Sequence, residues 1–187
     1  WENTWTTNLA FHFGFWNRLN VDFELYCKRT TDMLMEVPKS YAESNGYGYV
    51  WDNVGAMLNM GAELNLTATV ITYKDFNWTV NANAGYNHNR IVELYNGVNE
   101  YETANTSTKL VVGHPLGEFY INRYAGVNPA NGDALWYDKD GNITNELRDE
   151  DRVLVGKSYL APWQGGFGTA FSWKGLSLSA QFGWVAD

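Results

Sequence analysis

A strict two-residue alternation, held over runs longer than most soluble strands, restricts this chain more than any other feature. From Trp5 to Phe15 the odd positions read Trp5, Thr7, Leu9, Phe11, Phe13 and Phe15, and the even ones Thr6, Asn8, Ala10, His12 and Gly14. Side chains alternate across a β-strand, so one face is apolar and the other small or polar. After a turn at 16–18 the pattern resumes, with Leu19, Val21, Phe23, Leu25 and Cys27 against Asn20, Asp22, Glu24, Tyr26 and Lys28. A third run sets Leu58, Met60, Ala62, Leu64, Leu66, Ala68 and Val70 against Asn59, Gly61, Glu63, Asn65, Thr67 and Thr69. Beyond Lys74-Asp75, Phe76, Trp78, Val80, Ala82, Ala84 and Tyr86 oppose Asn77, Thr79, Asn81, Asn83, Gly85 and Asn87. Two last runs meet at Lys174-Gly175: Phe167, Thr169, Phe171 and Trp173, then Leu176, Leu178, Ala180, Phe182 and Trp184, each with Gly, Ser, Ala or Gln between.

Six such runs predict an all-β chain, and their length says what medium they face. Eleven residues extend about 33 Å, and a tilt of about 40° brings the span to about 25 Å, the height of the apolar band of an outer-membrane barrel. Strands in soluble domains are typically about 5–6 residues. The connections also alternate. Tight turns at 16–18, 74–75 and 174–175 separate two long excursions, about 29–56 and 89–165, as in barrels with short periplasmic turns and long extracellular loops. Phe15, Trp16, Phe76, Trp78 and Trp173 cluster beside the tight turns, as an interfacial girdle would. The expected fold is an antiparallel up-and-down transmembrane β-barrel segment. Leu9, Phe11, Phe13, Leu64, Leu66, Phe171 and Leu178 are expected toward lipid, and Asn8, Asn65, Asn81 and Asn83 toward the lumen. The alternative is a secreted β-sandwich that binds glycans through surface aromatics; it accounts for alternation but not for strand length, loop asymmetry and girdle together. Six strands are too few to close a transmembrane barrel, so the segment is expected to belong to a larger one.

Composition narrows the function. There are 9 Trp, 12 Tyr and 18 Gly but only 4 Pro, which favours strands and turns. A net charge of −8 disfavours nucleic acid. The single cysteine, Cys27, cannot form an intrachain disulfide and reads as a small apolar filler. No run of 18 apolar residues predicts a transmembrane helix, and the chain shows no signal peptide.

The same stretches, in order, resemble the SusC/RagA-like branch of the TonB-dependent outer-membrane receptors. Trp1-Glu2, Asn8, Phe13, Phe15, Arg18-Leu19, Asp22, Tyr26, Lys28, Thr30, Asp32, Leu34 and Pro38 are similar to its strand–turn–strand signature. Asn53-Val54-Gly55, Asn59, Gly61, Glu63 and Leu64 are similar to the start of its next strand, and Phe76, Trp78, Asn83, Asn87, Asn89, Ile91 and Leu94 to the following one. Gly113, Pro115, Gly117, Phe119, Gly126-Val127, Gly132, Tyr137, Asp138 and Gly141 resemble its long extracellular loop, and Gly156, Pro162, Gly165-Gly166-Phe167 and Lys174-Gly175 its return strands. The resemblance covers almost the whole chain. It implies a barrel of about 22 strands in the outer membrane of a Gram-negative bacterium, with an N-terminal plug that this chain does not contain. It further implies energy from TonB acting through that plug, a SusD-like surface lipoprotein capping the barrel, and oligosaccharide or peptide nutrients as cargo.

No residue pattern calls for catalysis or a cofactor. Asp138-Lys139-Asp140-Gly141-Asn142 hints at calcium, but its Gly comes fourth rather than sixth and no Glu falls twelfth, so an Asp-Gly hairpin turn is the better reading. His12, His88 and His114 lack zinc-site spacing. Asp149-Glu150-Asp151 reads as a solvated loop face, and no nucleophile elbow or phosphate loop occurs. The candidate ligand- or partner-binding residues are the loop aromatics Tyr41, Tyr47, Tyr49, Trp51, Tyr120, Tyr124, Trp136 and Tyr137, because aromatic faces stack on sugar rings and anchor protein interfaces. Within residues 113–162, short extramembrane strands are expected at Tyr120–Val127 and Ala134–Thr144.

Overall fold

The computed structural model describes residues 1–102 and 107–187. In chain order its strands are β1 (Asn3–Phe15), β2 (Leu19–Pro38), β3 (Tyr49–Tyr73), β4 (Phe76–Glu93), β5 (Glu100–Glu102), β6 (Lys109–Val111), β7 (Glu118–Ile121), β8 (Arg123–Val127), β9 (Ala134–Tyr137), β10 (Ile143–Thr144), β11 (Val153–Ser158), β12 (Trp163–Trp173) and β13 (Leu176–Ala186). The chain forms two compact units, Trp1–Asn89 with Ala161–Asp187, and Arg90–Leu160.

The first unit is one sheet in the order β1-β2-β3-β4-β12-β13, the six strands that alternation predicts. Each of the three tight turns contains positive φ, at Trp16 and Asn17, at Lys74, and at Lys174 and Gly175. Turns of this hand match the right-handed twist of the flanking strands. The register then fixes which residues share a face. Phe11 lies opposite Phe23, which lies opposite Leu64; Phe13 lies opposite Val21, which lies opposite Leu66. On the far strands Trp78, Phe171 and Leu178 form one cross-strand row. The other face carries rows such as His12, Asp22 and Asn65. The two faces are those read from the sequence.

No second sheet covers the apolar face within this unit. Phe11 is 40% exposed, Phe167 54% and Leu178 71%, and the buried apolar side chains of the described chain are only Val37, Ala56, Ile91 and Leu94. A soluble sandwich would bury one face of each sheet, so the sandwich alternative is excluded. A long apolar face without a protein partner matches strands solvated by lipid. No helix is long and apolar enough to cross a membrane, which says nothing about strands.

The first long segment, 29–56, holds more strand than its sequence suggests. β2 and β3 pair as far as Pro38 and Tyr49, so the reversal itself occupies residues 39–48. The alternation breaks at Thr31-Asp32 because the ladder shifts there: Asp32 takes φ 56, and pairing jumps from Thr30 to Met33. Such a bulge inserts an unpaired residue and changes which positions face which side. Asp32 is tied on both flanks, accepting from Asn3 Nδ2 at 2.7 Å through its carboxylate and from Asn53 Nδ2 at 2.7 Å through its carbonyl.

The second unit holds three small sheets: β5 with β6, β7 with β11, and β10-β9-β8. The expected strands at 120–127 and 134–144 correspond to β7 to β10, and the turn at Asp140-Gly141 joins β9 to β10.

Candidate functional site

The large sheet carries two aromatic rows at matched spacing. Trp5 and Phe15 stand ten residues apart on β1, Phe76 and Tyr86 on β4, and Trp163 and Trp173 on β12. The pairing joins those of β4 and β12 laterally, Trp163 to Tyr86 and Trp173 to Phe76, with the Tyr86 and Trp163 rings 4.6 Å apart. Ten residues at about 3.3 Å, tilted by about 40°, separate the rows by about 25 Å, the height of a hydrocarbon band. The lower row matches the girdle expected beside the tight turns; the upper one needed the register to be seen. Between them, the Trp78 indole donates to Thr169 Oγ1 at 2.8 Å. An unpartnered donor on an apolar face would cost desolvation wherever water is excluded, and this partner removes that cost.

The polar face is braced by side chains that reach across a glycine to β4. Tyr26 on β2 lies over Gly61 on β3 and donates its hydroxyl to Asn87 Oδ1 at 2.8 Å. Gln181 on β13 lies over Gly168 on β12 and bonds Asn81 Oδ1 at 3.3 Å. A Cβ at Gly61 would collide with the Tyr86 carbonyl oxygen and the Tyr26 ring, and one at Gly168 with the Gln181 carboxamide. Between the two bridges lies a concavity of about 530 Å³, whose lining includes Glu63, Asn65, Asn83 and Gln164 over Gly85 and Gly183. His12 Nδ1 and Asp22 Oδ1 pair at 2.7 Å on the same face, and Glu24 stands directly opposite Glu63. None of these polar-face groups was singled out from the sequence as a site. The signal available was the density of Asn on one face of β3 and β4, which reads equally well as a wetted wall.

The eight candidate aromatics fall into three groups rather than one site. Tyr41 and Tyr47 lie in the 39–48 reversal and Tyr49 and Trp51 at the start of β3; Tyr41 is 75% exposed and Trp51 60%. The reversal is ordered by its own hydrogen bonds: Ser44 Oγ donates to the Ser40 carbonyl at 2.9 Å and accepts from Gly48 N at 2.7 Å, and the Tyr41 ring lies near Gly48. Glu43 accepts from Ser40 Oγ at 2.7 Å, which holds its carboxyl below the ordinary glutamate range. In the second unit Tyr124 and Trp136 meet edge to face at 5.5 Å. Tyr137 lies on the opposite face of β9, with the Arg123 guanidinium 5.3 Å from its ring centroid. Tyr120 is on β7, in a different sheet, beneath Lys109 Nζ at 4.9 Å. Lys109 is held protonated above its ordinary range, chiefly by its bond to Glu100 at 2.8 Å.

The Asp138 loop is a self-contained turn. The Asp138 carboxylate accepts from Asp140 N, Asn142 N and Asn142 Nδ2 at 2.7–3.0 Å, which lowers its pKa, with the Asn142 side chain the largest cause. Gly141 takes φ +88 and completes the reversal. Among the described residues, no group of three His, Cys, Asp or Glu is placed to hold a metal ion. His114 lies in the second unit, its Nδ1 2.7 Å from the buried Glu118 carboxylate, which also accepts from Gly156 N at 2.9 Å. That pairing ties β7 to β11.

No family model matches the chain. Among curated proteins it is 30% identical over 165 residues to the TonB-dependent receptor SusC of Bacteroides thetaiotaomicron, covering 80% of this chain and 16% of that protein. It is 25% identical to the TonB-dependent receptor P39 of Formosa agariphila, over 97% of this chain and 22% of that one. Among solved structures it superposes on the RagAB peptide transporter with a TM-score of 0.88 and 37% identity, covering 99% of this chain and 21% of that one. The RagAB peptide importer in its open-open state gives a TM-score of 0.88 and 36% identity, over 99% and 20%. The chain thus spans about a fifth of the length of the proteins it matches.

Proposed function

Because the chain belongs to the SusC/RagA-like TonB-dependent receptors, we propose that it forms part of the wall and outer loops of a nutrient importer in the outer membrane of a Gram-negative bacterium. The observation that carries this reading is the pair of aromatic rows about 25 Å apart on an apolar face whose large side chains are exposed among the described residues. The face bearing Glu63, Asn65, Asn81 and Asn83 would then line the lumen. The tight turns at Asn17, Asp75 and Lys174 would be periplasmic, and the segments within 29–56 and 89–165 that rise past the upper row would be extracellular. The chain would act by transport and not as an enzyme. Energy would come from TonB through a plug outside this chain, and a SusD-like lipoprotein would cap the barrel. Cargo would be an oligosaccharide or a peptide.

The exposed aromatics of the 39–48 reversal, with Tyr49 and Trp51, together with Tyr120, Tyr124, Trp136 and Tyr137, are then the groups that would touch cargo or lipoprotein. Aromatics supply contact area at small entropic cost. Their support differs: Tyr41, Tyr47 and Trp51 are well exposed, while Tyr120 and Tyr137 already have cationic partners. The test is removal of residues 113–162 from the full-length receptor. The barrel should still fold, shown by heat-modifiable gel mobility, because the spanning sheet pairs without that loop. Growth on the receptor's nutrient, or capture of the lipoprotein, should fall. Undiminished growth and capture would remove Tyr120, Tyr124, Trp136 and Tyr137 from the site.

A further inference from the structure

The neighbouring tight turns at 74–75 and 174–175 share a construction. Each begins with a lysine at positive φ, 51 at Lys74 and 46 at Lys174. Each lysine follows an aromatic residue and lays its ammonium over that ring, Lys74 Nζ 5.3 Å from the Tyr73 centroid and Lys174 Nζ 5.3 Å from the Trp173 centroid. An ammonium already seated on a ring loses less freedom when it also meets an anion. The two turns lie side by side. β4 and β12 pair as far as Phe76 and Trp173, and Asp75 and Lys174 adjoin that pair at one level. Two cations and a carboxylate therefore stand together at the foot of the lower aromatic row. The tight turns as a set carry Arg18, Lys74 and Lys174 against Asp75 alone, in a chain of 13 basic and 21 acidic residues. On the apolar face beside them Trp78 and Phe171 stack at 5.4 Å, with Phe76 6.4 Å from Phe171. The strands concerned, β3, β4, β12 and β13, are consecutive in the sheet, so both hairpins are complete within this chain.

We propose that Lys74, Asp75 and Lys174 bind the phosphoethanolamine headgroup of a phospholipid. The proposal rests on the transport reading above, which puts the apolar face in lipid and the tight turns at the periplasmic border of the membrane. An aromatic row marks the edge of the hydrocarbon band, and lipid phosphates lie just beyond it, at the level of residues that adjoin the row. The two ammonium groups give charge-assisted donors to the phosphate oxygens. Asp75 accepts from the primary ammonium at the far end of the same headgroup. A choline headgroup carries the same phosphate, but its quaternary nitrogen has no N–H for Asp75. A glycerol headgroup carries no cation for it. The acyl chains lie against Phe76, Trp78 and Phe171, which continue the patch into the apolar face.

The experiment uses the full-length receptor, stripped of lipid in detergent and then given phosphatidylethanolamine, phosphatidylcholine or phosphatidylglycerol of matched chains. Bound lipid is counted by native mass spectrometry, and the melting temperature is read alongside. Phosphatidylethanolamine should bind about tenfold more tightly than phosphatidylcholine. Lys74→Gln with Lys174→Gln should weaken phosphatidylethanolamine and phosphatidylglycerol by about tenfold. Asp75→Asn should remove the preference for phosphatidylethanolamine over phosphatidylcholine without weakening phosphatidylglycerol. Lys39→Gln, which removes a cation from the 39–48 reversal, should change none of these affinities. Equal binding of the three lipids to the wild-type receptor would overturn the proposal, as would an Asp75→Asn variant that keeps the preference, or a loss from Lys39→Gln as large as that from the paired lysine change. The transport reading is tested separately, with Asn17→Cys in a Cys27→Ala background. A membrane-impermeant maleimide should reach position 17 only after the outer membrane is opened. Labelling in intact cells would overturn that reading, whereas protection there with equal lipid binding would overturn the headgroup proposal alone.

Discussion

Replacing Phe11 by arginine is the perturbation that the two-faced sheet constrains most tightly. Phe11 lies four residues from Phe15 and six from Trp5 on β1, which places it about 10 Å above the lower aromatic row and close to the middle of a band about 25 Å high. Its ring stacks at 6.2 Å from Phe13 and 6.4 Å from Phe23. Arginine near the midplane of a barrel's lipid face costs about 2–4 kcal/mol, and the lost ring contacts add to that. The neighbouring residue, Ala10, faces the other way and lies opposite Glu24. Ala10→Arg places the same charge in water beside a carboxylate and should change stability by no more than about 0.5 kcal/mol. The two variants differ by one position along the strand, so composition, level and backbone are controlled. Denaturant unfolding of the full-length receptor in lipid vesicles, read by tryptophan fluorescence and gel mobility, should place Phe11→Arg well below wild type and Ala10→Arg beside it. Equal losses, or a larger loss for Ala10→Arg, would refute the assignment of faces.

Three further outcomes follow from specific contacts. Thr169→Val strands the Trp78 indole N–H in lipid and should cost about 1–3 kcal/mol, most of it recovered when Trp78→Phe is added, as a double-mutant cycle would read. Gly61→Ala drives a methyl into the Tyr86 carbonyl and the Tyr26 ring and should destabilise by about 1–3 kcal/mol, more than Tyr26→Phe, which loses only the bond to Asn87. The lowered pKa of Asp138 means that its carboxylate orders the 138–142 turn at neutral pH, above its unfolded pKa. That order is lost as pH falls through the depressed folded value; amide exchange at Asn142 should quicken there, and Asp138→Asn should abolish the pH step.

The spanning strands were legible because each reports itself locally: an apolar residue at every second position needs no knowledge of its neighbours. The same holds for the tight turns and for the Asp138–Asn142 reversal. Pairing was not legible where it depends on a break in the pattern. The Met33-Leu34-Met35 stretch looks unlike a strand because the bulge at Asp32 resets the alternation, so β2 and β3 run further than the sequence suggests. The polar face was legible as polar but not as a site. The link from Tyr26 to Asn87 over Gly61 joins residues 61 positions apart through an intervening strand, and only the register brings them together. The loop aromatics could be picked out one by one, yet which of them meet depends on strand pairing: Tyr124 finds Trp136, while Tyr137, the next residue, points to the other face and meets Arg123.

The central claim is that one face of this sheet meets lipid and the other lines an aqueous lumen. A nitroxide scan along β4 of the full-length receptor in vesicles tests it most directly, with Val80, Asn81, Ala82 and Asn83 replaced by cysteine and labelled in turn. The account predicts oxygen-accessible labels at 80 and 82, alternating with labels at 81 and 83 that a water-soluble nickel chelate reaches or that packed protein shields. Nickel access at 80 and 82, or no alternation at all, would contradict it.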